Sequence, residues 1–351
     1  MGRYIARRII YLVLVILAVS AITFGLMHAV PGGPFDSEKA LPPDILANLE
    51  KRYNLDDPLL VQYFNYIYEV TIPHISTTAP TNAIEDDYLI VANIGNVWVK
   101  WVSFGPSYKS RIRTVNDIFR EQLPVSIQLG LMALLVAIVI GMPLGILAAL
   151  RQNTIFDYLS MSIAIFGVSV PVIVLGPIMV WIFGVTLKLL PPTGWGSKAP
   201  YILGFLPRNL GWGYFRYAIM PAFALGIGES ALIARLTRAS LLQVIREDYI
   251  RTARSKGLAE RLVIIKHALK NSLIPVVTIL GPLFAALLTG TFITETIFGI
   301  PGMGKYFVTS ITNRDYPVIM GVILAYAIFL VLANLIVDIV YAFIDPRIQY
   351  E

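Results

Sequence analysis

No cysteine occurs in the 351 residues, which excludes disulfides, thiolate nucleophiles and thiolate-held zinc or iron–sulfur centres. Histidine is nearly as scarce. His28, His74 and His267 stand too far apart for the spacing of a metal site, so each reads as a packing or surface residue and no metal ligands are expected. Charge is sparse as well, at 14% of residues against 56% hydrophobic. A mean hydropathy of +0.70 is too high for a domain that must hide its apolar surface from water alone. Lipid bilayer is therefore part of the solvent. The net charge of +6 says less than the few places where basic residues gather, and no nucleic-acid partner is expected.

A helix needs about 20 apolar residues to cross the hydrocarbon core. Six stretches reach or approach that length: 9–30, 125–150, 158–187, 218–234, 272–297 and 317–344. Glu229 interrupts the fourth, and Pro171, Pro177, Pro275 and Pro282 predict kinks in the third and fifth. Arg3, Arg7 and Arg8 precede the first stretch, whose apolar run exceeds the roughly 7–15 residues of a signal peptide, so it is expected to stay as an anchor. Short basic flanks place the N-terminus inside, Arg151 in the next inner loop and Arg347 beyond the last span. From Arg235 to Lys270 nine Lys or Arg residues face only Glu247, Asp248 and Glu260, an excess that belongs on the cytoplasmic side. The expectation is an all-α polytopic membrane protein with six transmembrane helices and both termini cytoplasmic. Its parts are an N-terminal tail and first span (1–30), a folded extracytoplasmic segment (31–123), a five-helix core (124–344) containing a cytoplasmic loop (235–271), and a tail (345–351).

The segment 31–123 is too long for a simple connector. Ile45, Leu46, Leu49 and Tyr53 share one helical face; Asp57-Pro58 starts a second amphipathic helix carrying Leu59, Leu60, Tyr63, Phe64 and Ile67. From Pro73 to Ser103 the text is polar and aromatic, with Glu85-Asp86-Asp87 before Trp98 and Trp101, and no fold is assigned to it. The segment either docks a partner arriving from outside or merely caps the bundle. Pro31-Gly32-Gly33-Pro34 ends the first span and turns the chain.

The loop is the most informative stretch. Residues 245–256 read as a helix too polar to enter lipid, Gly257 supplies a left-handed stop, and a second helix is predicted over 259–268. A stiff helix–turn–helix suits the seating of a soluble partner; a solvated basic loop lying on anionic lipid is the plainer alternative.

Glu247, Asp248, Tyr249, Ile250, Arg251, Thr252, Ala253, Arg254, Ser255, Lys256, Gly257 and Leu258, continuing through His267-Ala268-Leu269-Lys270-Asn271 to Pro275, resemble the coupling loop of binding-protein-dependent ABC importer permeases of the oligopeptide and dipeptide branch. Agreement extends to Arg7-Arg8, Pro31-Gly32-Gly33-Pro34, Phe104-Gly105-Pro106-Ser107, Val115-Asn116-Asp117, Leu123-Pro124-Val125-Ser126, Glu295-Thr296-Ile297-Phe298-Gly299 with Pro301-Gly302, Asn313-Arg314-Asp315-Tyr316 and Asp345-Pro346-Arg347. Two departures stand out. Arg251-Thr252-Ala253 replaces the Glu-Ala-Ala of the wider family, and the polar stretch near 75–97 is similar to nothing in shorter members. The resemblance implies a type I ABC importer fold in a prokaryotic plasma (inner) membrane. It further implies a second homologous permease subunit, two cytoplasmic ATPase subunits on the 247–258 loop, an extracytoplasmic peptide-binding protein, and transport by alternating access. ATP and Mg2+ would sit on the partners, with no cofactor or catalytic residue on this chain.

Gly299-Ile300-Pro301-Gly302-Met303-Gly304-Lys305 fits seven positions of a phosphate-binding loop, but Tyr306 stands where Ser or Thr should hold magnesium and no βαβ unit surrounds it. A glycine-rich turn near the outer mouth is the better reading. Glu229, Glu295 and Asp338 lie in or near apolar stretches, where an ionised carboxylate needs water or a partner, so each is a candidate for the translocation path. The competing view puts Glu295 and Asp338 near membrane faces and pairs Glu229 with Arg235 or another subunit. Gly141 and Gly145, around Pro143, permit close helix approach within the bundle. Nickel, glutathione or oligosaccharide import would suit the same architecture, and an ion-coupled secondary transporter would require a coupling-ion site or an internal repeat, neither of which the sequence displays.

Overall fold

The computed structural model describes residues 2–35, 42–81, 86–110, 112–289 and 291–344; within these, the side chains of residues 2–9, 289, 338 and 340–344 lie outside the description. The side chains of Arg3, Arg7, Arg8 and Asp338, together with Glu85, Asp345-Pro346-Arg347 and the 345–351 tail, therefore fall outside the described residues.

Helix dominates because apolar runs in lipid must satisfy each backbone N–H and C=O within their own segment. In chain order the helices begin with α1 (Gly2–Ala29), α2 (Pro43–Arg52), α3 (Leu59–Thr71), α4 (Val115–Leu150), α5 (Ile155–Ser169) and α6 (Val172–Met179), which runs into a π-helical stretch at Val180–Thr186. They continue with α7 (Trp212–Val244), α8 (Asp248–Ser255) and α9 (Glu260–Leu262), which passes through a π-helical stretch, Val263–Leu269, into α10 (Lys270–Ser272). The last are α11 (Ile274–Thr289), α12 (Thr291–Ile297), α13 (Met303–Asn313) and α14 (Tyr316–Ile344).

Among the described residues four helices are long and apolar enough to cross a membrane alone: Ile10–Ala29, Val115–Leu150, Trp212–Val244 and Tyr316–Val337. Two more crossings exist only if bent pairs count, Ile155–Ser169 with Val172–Thr186 at 95° and Glu260–Ser272 with Ile274–Leu288 at 48°. The third stretch is thus broken rather than kinked. Pro171 has no N–H to continue α5 and forces Val170 into extended backbone, φ −97° and ψ 109°, so the chain restarts as α6. Pro275 is better tolerated, because it lies in the first turn of α11 where the missing donor is not needed.

One compact unit is built on Val125–Gly304. In it α5 lies along α7 and small residues set the spacing. A Cβ on Gly141 would stand 2.5 Å from the Ser230 carbonyl, one on Gly145 2.5 Å from the Ala234 carbonyl, and one on Gly167 2.8 Å from the Ile227 side chain. Gly141 and Gly145 therefore serve packing of α4 on α7 inside the chain.

The other unit is built on Tyr11–Pro124 with Lys305–Ile328. Both predicted amphipathic helices are present as α2 and α3, although Pro58 rather than Asp57 is the N-cap of α3 and no side chain caps it. The all-α expectation needs correction here. A three-stranded antiparallel sheet forms from β1 (His74–Ser76), β2 (Ile90–Ile94) and β3 (Val97–Trp101) in the order β1-β3-β2. Ile94 pairs with Val97 across the two-residue Gly95-Asn96 turn, and Gly95 takes φ +68° there. Val97 to Trp101 is rich in the β-branched and aromatic residues that suit strands.

Candidate functional site

Helix α8 carries the predicted contact segment. Ile250 is fully buried and Ala253 nearly so, both in an apolar cluster with Leu241 of α7, Ala149 of α4, Val263 and Ala268. Glu247, Asp248, Tyr249, Arg251, Thr252, Arg254, Ser255, Lys256, Gly257 and Leu258 are all exposed. Two side chains thus seat the helix on the bundle while the remainder faces outward, an arrangement with high amphipathic contrast over only two turns. Gly257 adopts φ +75°, its N–H donating to the Arg254 carbonyl at 2.9 Å, and closes the helix as the sequence predicts. Beyond the turn, Arg254 grips Glu260 through two nitrogens at 3.1 and 2.7 Å, and Asn271 Nδ2 donates to Tyr249 Oη at 2.8 Å. The second loop helix, expected over 259–268, runs on to Ser272.

A pair that sequence reasoning missed lies two turns upstream on α7. Arg238 donates from Nε to Asp157 Oδ1 and from Nη2 to Oδ2, both at 2.7 Å. The Asp157 side chain is only 4% exposed and that of Arg238 28%. Asp157 also accepts the Asn153 N–H at 3.0 Å, so one carboxylate holds the start of α5 and ties it to α7. Three residues, Ile245-Arg246-Glu247, join the end of α7 to the start of α8, with Glu247 in extended backbone at φ −69° and ψ 148°. No sequence signal pairs residues this distant; the one hint available is the rarity of a charge such as Asp157 in the first turn of an apolar helix.

The three path candidates are dispersed. Glu229 sits half-buried midway along α7, and among the described residues no ion pair joins it to Arg235. Glu295, on α12, is 1% exposed and accepts a hydrogen bond from Ser126 Oγ at 2.6 Å. Ser126 in turn accepts the Met303 N–H at 2.8 Å. Any side chain at Gly302 would collide with the Glu295 carboxylate, and one at Gly304 would lie 2.8 Å from the Phe292 backbone. The glycines of the phosphate-loop look-alike are thus needed because this turn closes over a buried acid. The backbone of Asp338 lies in α14, and its side chain is outside those described.

In the unit on Tyr11–Pro124 and Lys305–Ile328 the remaining motifs meet. Ser107 Oγ and the Tyr108 N–H both donate to Asp315, Lys109 Nζ donates to the Pro34 carbonyl at 2.8 Å, and Arg314 reaches the Gly33 carbonyl at 3.4 Å. Burial raises the Asp315 carboxyl above the usual carboxylate range despite these donors. Asn116 Oδ1 accepts from the Phe104 N–H, and its Nδ2 donates to the Asp87 and Val102 carbonyls. Lys100, 6% exposed, donates to Asp86 at 2.6 Å and holds that carboxyl below its ordinary value. These motif residues knit loops together rather than converge on a reacting atom.

Comparison with known proteins identifies the family. Residues 141–350 match the model of the binding-protein-dependent transport system inner membrane component, and residues 1–83 match the N-terminal model of such membrane components. The chain is 40% identical to the dipeptide transport system permease protein of Bacillus subtilis over 99% of this chain and 98% of that one. It is 37% identical to the oligopeptide transport system permease protein of Salmonella typhimurium over 100% of both. A methionine ABC transporter in an inward-facing conformation is similar over 63% of this chain and 93% of that one at 17% identity and a TM-score of 0.46, a likeness too slight to carry the fold. The resemblance drawn from the motifs is borne out along the whole sequence: the chain belongs to the family of binding-protein-dependent transport system inner membrane components.

Proposed function

We propose that this chain is the membrane permease of an ATP-driven importer of dipeptides or oligopeptides, half of a translocation path completed by a second, homologous permease. Relatives named for dipeptide and oligopeptide transport, 37–40% identical over essentially full length, support the cargo. The observation that carries the coupling role is the seating of α8: two buried side chains fix it in an apolar cluster with α4, α7 and the Val263–Leu269 stretch, and ten exposed neighbours are left for another protein.

In this reading both bent pairs are membrane crossings, giving six, and the termini and the 235–271 loop lie in the cytoplasm of a prokaryotic cell. Two ATPase subunits hold ATP and Mg2+ and grip residues 247–258. A binding protein delivers peptide to the opposite face, where the 31–123 segment lies. When the ATPases close, α8 moves as one body; α7 carries the displacement, and the Asp157–Arg238 fork passes it to α5 and across the Pro171 break to α6. Glu229 and Asp338 border the path, and Glu295 bears on it through the turn it holds. Hydrolysis belongs to the partners, so this chain does mechanical rather than chemical work.

The test is Gly257→Val in the reconstituted complex. A β-branched residue at φ +75° costs about 1–2 kcal/mol of backbone strain and re-aims the end of α8. Uptake should collapse while the permease still inserts and assembles; wild-type uptake would remove the coupling role.

A further inference from the structure

The unit on Tyr11–Pro124 and Lys305–Ile328 encloses a cleft of about 930 Å3 that the importer reading leaves unused. Small-molecule sites span about 300–1,000 Å3, so this one has room for several linked residues. Part of its wall is aromatic: Phe35 and Tyr53 stack with ring centres 5.7 Å apart, and Tyr53 lies 4.7 Å from Tyr108. Charges of both signs line the same space: Arg52, Lys109, whose Nζ donates to the Pro34 carbonyl, and Glu69, one of whose oxygens lies 3.2 Å from His74 Nε2. Tyr66 adds a hydroxyl shut off from water with no hydrogen-bond partner among the described residues, a state that native folds rarely tolerate without a reason.

Ligand classes can be sorted by what they leave unanswered. A simple anion or cation would face its like charge at one end. A neutral sugar would bring no anion to Arg52, and a lipid tail would leave the Tyr66 hydroxyl as it stands. A short peptide with free termini answers these together: carboxylate to Arg52, ammonium to the other oxygen of Glu69, an amide to Tyr66, side chains to the aromatic wall. We infer that this cleft is a second peptide site, a holding place for short zwitterionic peptides on the extracytoplasmic side, an inference that rests on the importer reading above.

The experiment uses the complex of both permeases and both ATPases in nanodiscs, without binding protein, and tritiated Phe-Ala-Phe as probe. Saturable binding is expected. Amidating the peptide's C-terminus should weaken it about tenfold or more, as loss of a charge-assisted hydrogen bond implies. Arg52→Ala should do the same to the free acid, with no further loss when the two changes are combined. Tyr66→Phe, which removes one oxygen and keeps the ring, should weaken binding by about fivefold. Absence of saturable binding, equal binding of acid and amide to the wild type, or displacement by soluble phosphocholine lipid at matching concentrations would each overturn the site, the last making it a lipid cleft. ATP-driven uptake with the binding protein is read in parallel. Uptake without cleft binding sinks the cleft alone, whereas cleft binding with no ATP-dependent uptake sinks the importer reading.

Discussion

Replacing Arg238 by alanine is the sharpest perturbation of the mechanical account. The change removes both 2.7 Å hydrogen bonds to Asp157 and leaves a carboxylate only 4% exposed with the Asn153 amide as its remaining donor among the described residues. Breaking a buried pair from one side costs about 3–5 kcal/mol. Arg238 itself is 28% exposed, so water can follow the lost side chain and about 2–4 kcal/mol is the better expectation here. That energy resides in the link between α5 and α7 rather than in the seat of α8, whose cluster Arg238 does not join. The variant should therefore bind its ATPases and hydrolyse ATP at the basal rate. It should lose the stimulation of hydrolysis that loaded binding protein brings, and move fewer peptides per ATP consumed. The readout is the ratio of peptide uptake to phosphate release in proteoliposomes. Reversing the pair, Asp157→Arg with Arg238→Asp, should recover much of that ratio because the fork re-forms with opposite polarity. An unchanged ratio in Arg238→Ala, together with an unchanged unfolding midpoint, would refute the reasoning, since the fork would then bear neither load nor stability.

Further outcomes follow from the same geometry. Gly145→Val sets side-chain carbons against the Ala234 carbonyl, 2.5 Å from where the new Cβ would stand, and should destabilise the α4–α7 contact by about 1–3 kcal/mol, seen as lower yield of monodisperse protein in detergent. Ser126→Ala removes the hydrogen bond to Glu295 and the acceptor of the Met303 amide, and should raise the proteolytic susceptibility of the 299–304 turn without altering ATPase binding. The Lys100–Asp86 pair holds a carboxyl below its ordinary value, so its stabilisation is complete above the unfolded carboxylate pKa of about 3.9 and disappears as pH falls through the lower folded value. Thermal unfolding of the sheet-bearing unit should lose that acid-side slope in Asp86→Asn.

What could be read from the sequence depended on how local each feature is. Apolar runs, the Asp57-Pro58 start of α3 and the glycine stop after α8 are written within a few residues, so those helices and those two ends are legible in sequence. The hairpin at Gly95-Asn96 is equally local, yet the stretch mixes acidic residues with aromatic ones and no fold is assigned to it from sequence. The break at Pro171 was visible as a proline but not as a 95° turn, since its size depends on what the two halves pack against. Distant pairs were invisible in principle: nothing in one sequence joins Asp157 to Arg238, Ser107 to Asp315 or Ser126 to Glu295. Ser107, Asp315, Ser126 and Glu295 stand out in sequence as family motifs or a lone charge, Asp157 and Arg238 do not, and only folding reveals which bonds they make. Glu295 is the instructive case, noticed as an acid in an apolar stretch and found to be the floor beneath a glycine turn.

The central claim is that the basic loop bearing α8 meets a motor inside the cell. Ser255 is exposed on that helix, and the chain's lack of cysteine makes a single Ser255→Cys substitution a clean reporter. In intact cells an impermeant maleimide should leave Cys at this position unlabelled, whereas permeabilised cells should label it fully unless the ATPases are bound. Labelling from outside intact cells would contradict the account, because the helix could then never touch an ATPase.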